Sequence, residues 1–459
     1  MSSLEKIKSI IAAELLSNTL PLLPRLSPKV LIKFTYIAEK ILTRPDPFIE
    51  NSIKELRRYF QEDHPCLSLA RRLSRDLNFR CKKTLIRNLF VNAIFKGVPQ
   101  TKEYADKHGF TPPWFLVLSP TMRCNLNCLG CSTRRYAKDD DLPLDVIEKI
   151  LKEAKGMGIH FIVTQGGEMF VYKEMLEVYK RHPDVYFQVY TNGTLIDKAM
   201  SKTLARLGNV APMLSLEGFR STTDRRRGAG VFDKVMQAMD NLREVGCFFG
   251  ASVTQTRNNT DEITSDEFFE MLFKKGCFVV WFFQFVPVGA DPQLELMATA
   301  QQRDRLRQKV SEIRARLPIF IGDFWNDGPF LGGCIAAGRR YLHINNKGDV
   351  EPCGFVHFAV DNIRTKSLEE VLNSEFFRLL RSAQPYGNGN LMTPCMIIDN
   401  PQVLRNAVKV TGAYPTHEGA DIIFKEKVGE GLDRYAREIH QILDPIWQEI
   451  KDNVMKWPT

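Results

Sequence analysis

The chain has 459 residues, 44% of them hydrophobic and 25% charged, and a formal net charge of +9. That is too long for one ordinary domain, and the balance is that of a soluble globular protein with room for a sizeable core. No stretch reaches 18 uncharged apolar residues: the nearest, Leu20 to Leu42, is interrupted by Arg25, Lys29, Lys33, Glu39 and Lys40, so a spanning helix is not expected.

Residues 1–100 hold 18 Lys+Arg against 9 Asp+Glu, so they carry the whole positive excess. A basic segment attracts anionic surfaces, phospholipid or nucleic acid, unless it is simply a solvated helical face. Ile10 to Leu23 is apolar but contains Glu14 and Asn18, and no small-residue cleavage site follows, so a secretory leader is not expected. Residues 1–110 read as a helical extension punctuated by Pro21, Pro24, Pro28, Pro45 and Pro47. In "PKVLIKFTYIAEKIL" the apolar set Val30, Leu31, Phe34, Ile37, Ala38 and Ile41 recurs at helical spacing, with Lys29, Lys33 and Lys40 beside it. Such a helix can lie on a membrane surface or pack on a catalytic domain.

From Trp114 the pattern changes. "WFLVLSP" reads as a buried strand. "DLPLDVIEKILKEAKGMG" reads as a helix with Asp141 as N-cap, Pro143 near the first turn, and Val146, Ile147, Ile150, Leu151 and Ala154 on one face. "HFIVTQGGE" and "VYFQVYTNG" are further strands, and a helix ending at Gly208 precedes "NVAPMLSLEG". A helix from about Val231 to Val245 stops at Gly246 before "FFGASVT". Ser265 caps "DEFFEMLFKK", which stops at Gly276 before "FVVWFFQFVPVG", and a last helix covers Ala300 to Arg316. Strand–helix alternation repeated about six times, with Gly at helix ends, predicts an α/β fold whose parallel sheet makes most of a barrel wall over 111–318. Chemistry in such folds lies at the C-terminal ends of strands. Cys124, Gly166, Asn192, Ser215 and the region after Val286 all fall there.

A smaller α+β unit is expected over 319–400. "RRYLHINNKGDVEPC" alternates Tyr341, His343 and Asn345 against Leu342 and Ile344, then turns at Asn346-Lys347-Gly348-Asp349 as a hairpin does. "SLEEVLNSEFFRLL" opens with a capping box, Ser367 and Glu370. Residues 401–459 form a helical segment whose last helix presents Leu432, Tyr435, Ile439, Ile442, Ile446 and Ile450, with a kink expected at Pro445.

Ten cysteines, clustered in a long chain, suit a reduced cytoplasmic setting with metal-bound thiolates better than five disulfides. Cys124, Cys128 and Cys131 form C-x3-C-x2-C. Thiolates ligate zinc and iron–sulfur clusters; a structural zinc takes four protein ligands and a catalytic one three plus water. Three cysteines can instead hold three irons of a [4Fe–4S] cube and leave the fourth open. Spacing alone leaves zinc and incidental core thiols as alternatives. Gly166-Gly167-Glu168 ends the second strand, where backbone amides and a carboxylate can meet an amino-acid moiety.

This pair of motifs resembles the radical S-adenosylmethionine (SAM) superfamily over about Phe115 to Gly289. The resemblance implies a partial (β/α)6 TIM-like barrel and an open iron that binds the amino and carboxylate groups of SAM. It further implies reductive cleavage of SAM to methionine and a 5′-deoxyadenosyl radical, which abstracts a hydrogen atom from substrate. A reductase such as flavodoxin or ferredoxin is the implied electron donor. By the same resemblance Cys124, Cys128 and Cys131 are cluster ligands, and Gly166, Gly167 and Glu168 hold the SAM amino group. Asn192, and Ser215 with Glu217, approach its ribose or methionine part, and Arg227 in "DRRRG" lies near the carboxylate. Taken alone, Asn192 is equally a turn residue before Gly193, and Ser215 a strand-end hydroxyl. Two positions depart from the family pattern. Gly130 stands where an aromatic that touches adenine is common, and Met169 where a proline often follows the G-G-E. No further catalytic residue stands out.

Cys334 and Cys353 frame C-x13-G-x4-C, and Cys395 follows in "TPCMIIDNP". The pattern resembles the twitch or SPASM extensions of radical SAM enzymes, which hold auxiliary iron–sulfur clusters. A hairpin turning at Gly348 brings two thiolates together. No cysteine follows Cys395, so one auxiliary [4Fe–4S] cluster at most is expected. Its fourth ligand is open between substrate, Asp399, His343 and a distant cysteine such as Cys277, and a zinc or mononuclear iron site is the alternative. Cys66, Cys81 and Cys247 read as core thiols.

The basic amphipathic extension and the aromatic stretches "FVVWFFQFV" and "DFWNDGPFLGG" suggest a membrane-lipid acyl chain as substrate, met from the cytoplasmic face by peripheral association with the inner membrane. C–H functionalisation or C–C bond formation is then expected. Ribosomal-peptide maturation is the rival enzyme reading, although residues 1–110 show no winged-helix unit for peptide recognition. Other small-molecule substrates stay open. An iron–sulfur carrier or sensor is the reading of another class. Nucleic acid is not expected as a partner, because the basic segment lacks interleaved aromatics.

Overall fold

The computed structural model describes residues 27–41, 47–62, 64–134, 136 and 140–453. The apolar stretch Ile10 to Leu23 lies outside them.

The extension begins with α1 (Pro28–Ile41) packed on α2 (Pro47–Gln61). Leu31 and Thr35 turn inward, and Arg57 of α2 donates to Thr35 and pairs with Glu39. Lys29, Lys33, Tyr36, Ile37 and Lys40 are exposed, a spacing that puts them on one outer stripe. Next, α3 (Pro65–Asp76) starts on a His64 cap with Pro65 in the first turn. Its buried Arg72 donates to the carbonyls of Pro318 (2.6 Å) and Cys277 (3.2 Å) and lies over Phe273 and Phe278. α4 (Phe79–Leu85) runs into a π-helical stretch, Ile86–Gly97. There Asn88 and Asn92, both buried, donate to the carbonyls of Pro183, Val185 and Asp184. α5 (Val98–His108) begins where Gly97 crosses Gly158; a Cβ on Gly97 would stand 2.6 Å from the Gly158 carbonyl oxygen. The extension from α3 onward is thus bonded to the sheet-bearing part, and α1 presents a packed face and a basic outer face.

The barrel follows as β1 (Phe115–Thr121), α6 (Leu144–Gly156), β2 (Phe161–Gly166), α7 (Met175–Arg181), β3 (Tyr186–Thr191), α8 (Lys198–Leu207) and β4 (Val210–Leu216). It continues through α9 (Arg220–Arg227), α10 (Val231–Glu244), β5 (Gly250–Gln255), α11 (Asp266–Lys275), β6 (Val279–Gln284) and α12 (Ala300–Arg314). Ser265 caps α11, and Gly208 and Gly276 end α8 and α11 in the left-handed conformation. α6 differs from expectation. It starts at Leu144 with no side-chain cap, because Asp141 is held instead by Arg123 of the cysteine loop (Nε to Oδ1 3.1 Å). An ion pair with that loop has outcompeted the cap.

The parallel pattern also runs beyond six strands. β7 (Phe320–Asp323) adds to β6, and β8 (Tyr341–Ile344) adds parallel to β1, with β9 (Val350–Glu351) antiparallel outside it. The sheet order is β7-β6-β5-β4-β3-β2-β1-β8-β9. The later unit is therefore not a separate layer, since its strands satisfy the two edges that six strands leave unpaired. Beyond lie β10 (Phe358–Ala359), α13 (Leu368–Leu372) with the Ser367–Glu370 capping box, α14 (Glu375–Ser382), α15 (Pro401–Thr411) and β11 (Tyr414–Pro415). The last helix, α16 (Glu426–Ile450), includes Pro445 and buries Leu432, Tyr435 and Ile439 against the α12 side of the barrel.

Candidate functional site

A cavity of about 3310 Å³ opens inside the sheet and at its C-terminal edge. Cys124, Cys128 and Cys131 line it, on the loop that leaves β1. Burial raises the pKa of the Cys124 and Cys128 thiols above the ordinary value, while Arg227 pulls Cys128 the other way. Donors already face the sulfurs: the Leu126 amide stands 3.4 Å from Cys124 Sγ, and Thr133 Oγ1 3.3 Å from Cys131 Sγ.

Gly166 and Gly167 line the cavity beside this loop. Their lack of side chains is a packing requirement. A Cβ on Gly166 would stand 2.4 Å from the Thr121 carbonyl oxygen, and one on Gly167 2.1 Å from that of Arg123. The Gly167 amide donates to the Thr121 carbonyl (2.9 Å) and the Glu168 amide to the Arg123 carbonyl (2.7 Å), which ties the end of β2 to the cysteine loop. Glu168 is fully buried behind them. Its carboxylate accepts from the Phe170 amide, Thr191 Oγ1 (2.7 Å) and the Asn192 amide (2.7 Å), and burial raises its pKa. It therefore joins β2 to β3, and the surface offered to a ligand is the glycine backbone.

Asn192 lines the cavity too and donates to Asn125 Oδ1 (2.8 Å), steadying the cysteine loop. Ser215 and Arg227 are also on the cavity wall. Glu217 is not: its buried Oε1 pairs with Arg226 and Arg227, both at 2.6 Å, so it holds Arg227 in place. Gly130 is left-handed (φ 67), and a Cβ there would stand 2.9 Å from the ring of Phe285. Phe285 comes from the segment after β6, lines the cavity and lies beneath Arg226. The room that an aromatic at position 130 would take is filled by Phe285. The sequence carried this only as one aromatic among many in "FVVWFFQFV".

The second set gathers near the start of the β1–β8 pair. Cys334 feels Cys395 and Cys353 electrostatically, Cys395 feels Cys353, and burial raises all three thiols, Cys395 to about 12. Tyr341, the first residue of β8, donates to Cys353 Sγ (2.9 Å), and the Ile397 amide stands 3.4 Å from Cys395 Sγ. The buried phenols of Tyr341 and Tyr386 both lie within electrostatic reach of the three thiols. The alternation in "RRYLHI" pointed at Tyr341; Tyr386 had no sequence signal. The expected fourth ligands are engaged elsewhere. Asp399 is paired with buried Arg303 (2.5 Å) and accepts the Cys395 amide. His343 lies between Ser119 (2.7 Å) and Glu351 (2.5 Å). Cys277 is packed at the start of β6, its carbonyl on Arg72.

A polar wall unread in the sequence lines the cavity beside the first set. Tyr136, from the first cysteine loop, stacks on His417 (centroids 3.5 Å apart) and bonds His357 Nδ1 at 2.5 Å. Burial lowers the pKa of His417 to about 2 and lowers that of His357, so both are neutral imidazoles.

These donors fit iron–sulfur clusters. Each set offers three thiols, and in each an N–H or O–H group reaches at least one sulfur, as in cluster sites. Among the described residues no three of His, Cys, Asp and Glu converge on a single metal-ion position. The half-buried Gly166–Gly167 backbone, with Asn192, Ser215 and Arg227, lines the cavity beside the first set.

Comparison with known proteins agrees. Residues 118–271 match the family described as radical SAM superfamily, and residues 334–396 match SPASM, an iron–sulfur cluster-binding domain. Mycofactocin maturase MftC of Mycolicibacterium smegmatis is 30% identical over 311 residues, 63% of this chain and 78% of the relative. Fe-coproporphyrin III synthase of Methanosarcina barkeri is 28% identical over 358 residues, 68% of this chain and 89% of the relative. The structure of Streptococcus suis SuiB bound to precursor peptide SuiA shares the fold, with a TM-score of 0.54 at 18% identity over 66% of this chain and 75% of that one.

Proposed function

Because this chain belongs to the radical SAM superfamily, as an enzyme with an iron–sulfur-binding SPASM domain, we propose that it removes a hydrogen atom from the acyl chain of a membrane lipid. The superfamily domain binds a [4Fe–4S] cluster and SAM, and the SPASM domain binds auxiliary iron–sulfur clusters. Bound together, SAM and the reduced cluster supply the means to break an unactivated C–H bond homolytically. The residue roles belong to the same proposal. Cys124, Cys128 and Cys131 hold the first cluster, and Cys334, Cys353 and Cys395 hold an auxiliary one. The backbone of Gly166 and Gly167, with Asn192, Ser215 and Arg227, receives SAM, while Glu168 and Glu217 position those groups. The working division of the chain is 1–110, 111–318, 319–400 and 401–459. A one-electron donor such as flavodoxin or ferredoxin is required.

One observation carries the choice of substrate. The cavity far exceeds the roughly 300–1,000 Å³ of an ordinary small-molecule site. It continues from the cysteines to a wall made by Leu31, Phe34, Leu56, Phe60, Leu73 and Leu89 of the extension. That wall suits a long apolar chain. The outer stripe of α1, with three lysines beside Tyr36 and Ile37, supports contact with anionic lipid, and no described helix is long and apolar enough to cross a membrane. The similarity to a peptide maturase favours a second reading, a peptide in the same cavity. Anaerobic holoenzyme with SAM, reductant and either lipid extract or peptide tests the two. We expect 5′-deoxyadenosine to rise above background with lipid. A rise with peptide alone would replace the lipid reading. Co-sedimentation with anionic vesicles should fall when Lys29 and Lys33 are changed to Glu, and unchanged sedimentation would remove the membrane contact.

A further inference from the structure

Arg339, Arg378 and Arg381 line one end of the cavity. None pairs with a carboxylate among the described residues. Arg339 donates to the carbonyls of Cys334 (2.8 Å) and Leu331 (3.1 Å), and Arg381 to those of Ala337 (3.2 Å) and Leu372 (2.7 Å). Each guanidinium has five N–H donors, so each keeps three beyond those bonds. Arg378 stands one helical turn before Arg381 on α14, is exposed, and its guanidinium bonds no described residue. Burial lowers the pKa of Arg339 and of Arg381, and Arg378 lowers Arg381 further. Arg339 and Arg381 are desolvated like charges with no carboxylate partner among the described residues, an unfavourable state that an anion relieves.

The place is also informative. The Arg340 carbonyl accepts the Trp114 and Phe115 amides, so this end of the cavity lies at the start of β1. Cys124, Cys128 and Cys131 lie past its other end. Seven residues of strand separate the two, roughly 20 Å. Between them the wall includes Phe115, Val117, Phe324, Ile335 and Tyr341.

We propose that Arg339, Arg378 and Arg381 form an oxyanion site that holds the phosphate end of an amphiphilic substrate while its apolar part runs along β1 toward the first cysteine set. Guanidinium groups suit this chemistry because they bind phosphate bidentately. Only the identity of the amphiphile rests on the lipid reading above; the oxyanion site stands without it.

The test is calorimetric titration of anaerobic holoenzyme with three probes: inorganic phosphate, a short-chain phosphatidylglycerol below its micelle concentration, and a short-chain diacylglycerol. Both phosphate probes should bind, with affinity falling as salt rises, and Arg378→Gln should weaken both about tenfold while Arg378→Lys retains most of it. Since Arg378 is exposed, its replacement leaves the fold intact. Unchanged phosphate affinity in Arg378→Gln and in Arg381→Gln would overturn the site, as would no binding of either phosphate probe. Phosphatidylglycerol binding no tighter than phosphate would keep the site and remove the lipid reading. Diacylglycerol binding as tightly as phosphatidylglycerol would keep the lipid reading and overturn the site.

Discussion

Gly167 has almost no latitude. Its missing side chain lets the end of β2 lie against the backbone at Arg123, where a Cβ would stand 2.1 Å from a carbonyl oxygen. Gly167→Ala must therefore push the cysteine loop away. We expect it to lower the iron content of the first site while leaving the secondary structure intact, as read by iron analysis and circular dichroism. His417 is a residue of another kind, a neutral imidazole held at a pKa of about 2 by burial. The unfolded chain binds a proton near pH 6.5 and the folded chain does not. The stabilisation is therefore complete above pH 6.5 and is lost progressively as pH falls toward 2. Between pH 6.5 and 5 the loss is about 2 kcal/mol from this group alone. His417→Gln should flatten that part of the stability–pH curve in urea denaturation, and an unchanged slope would show that His417 charges freely in the folded protein.

At the scale of elements, two buried cations hold pieces together. Arg72 fastens α3 to the turns before β6 and β7 through two carbonyls. Arg72→Ala leaves those carbonyls unpaired, and we expect a loss of about 1–3 kcal/mol with earlier proteolysis of the extension. Arg303 pairs with Asp399, which in turn receives the Cys395 amide. Arg303→Ala strands a buried carboxylate, with an expected cost of about 3–5 kcal/mol and loss of auxiliary iron before that of the first site. Much at this scale was legible in the sequence. Glycines at 208 and 276, the Ser265 cap and the alternation of strands and helices are local signals, and the structure follows them. What lay hidden was non-local. Asp141 has the sequence of a cap but spends its charge on Arg123, and no short window shows that partner. Phe285 and Gly130 are 155 positions apart, so the aromatic that fills the vacancy could not be paired with it beforehand. The six cysteines stand out as candidates because their spacing is itself the signal. Tyr136, His357 and His417 meet only through the fold.

For the whole molecule, cluster count separates the two halves of the proposal. Cys334→Ser with Cys353→Ser should remove the iron and sulfide of one cluster and leave the other. SAM cleavage without substrate should then persist while product formation falls at least tenfold. Loss of both clusters would mean that the sets are not independent sites. The shared sheet bears on this. β8 lies parallel to β1 with Phe115 opposite Tyr341 and Leu118 opposite Ile344, and Tyr341 touches the second cysteine set while β1 delivers the first. The β1–β8 pair therefore acts as a ruler. If the two sets hold clusters as proposed, the span between them is set by the backbone hydrogen bonds of this strand pair.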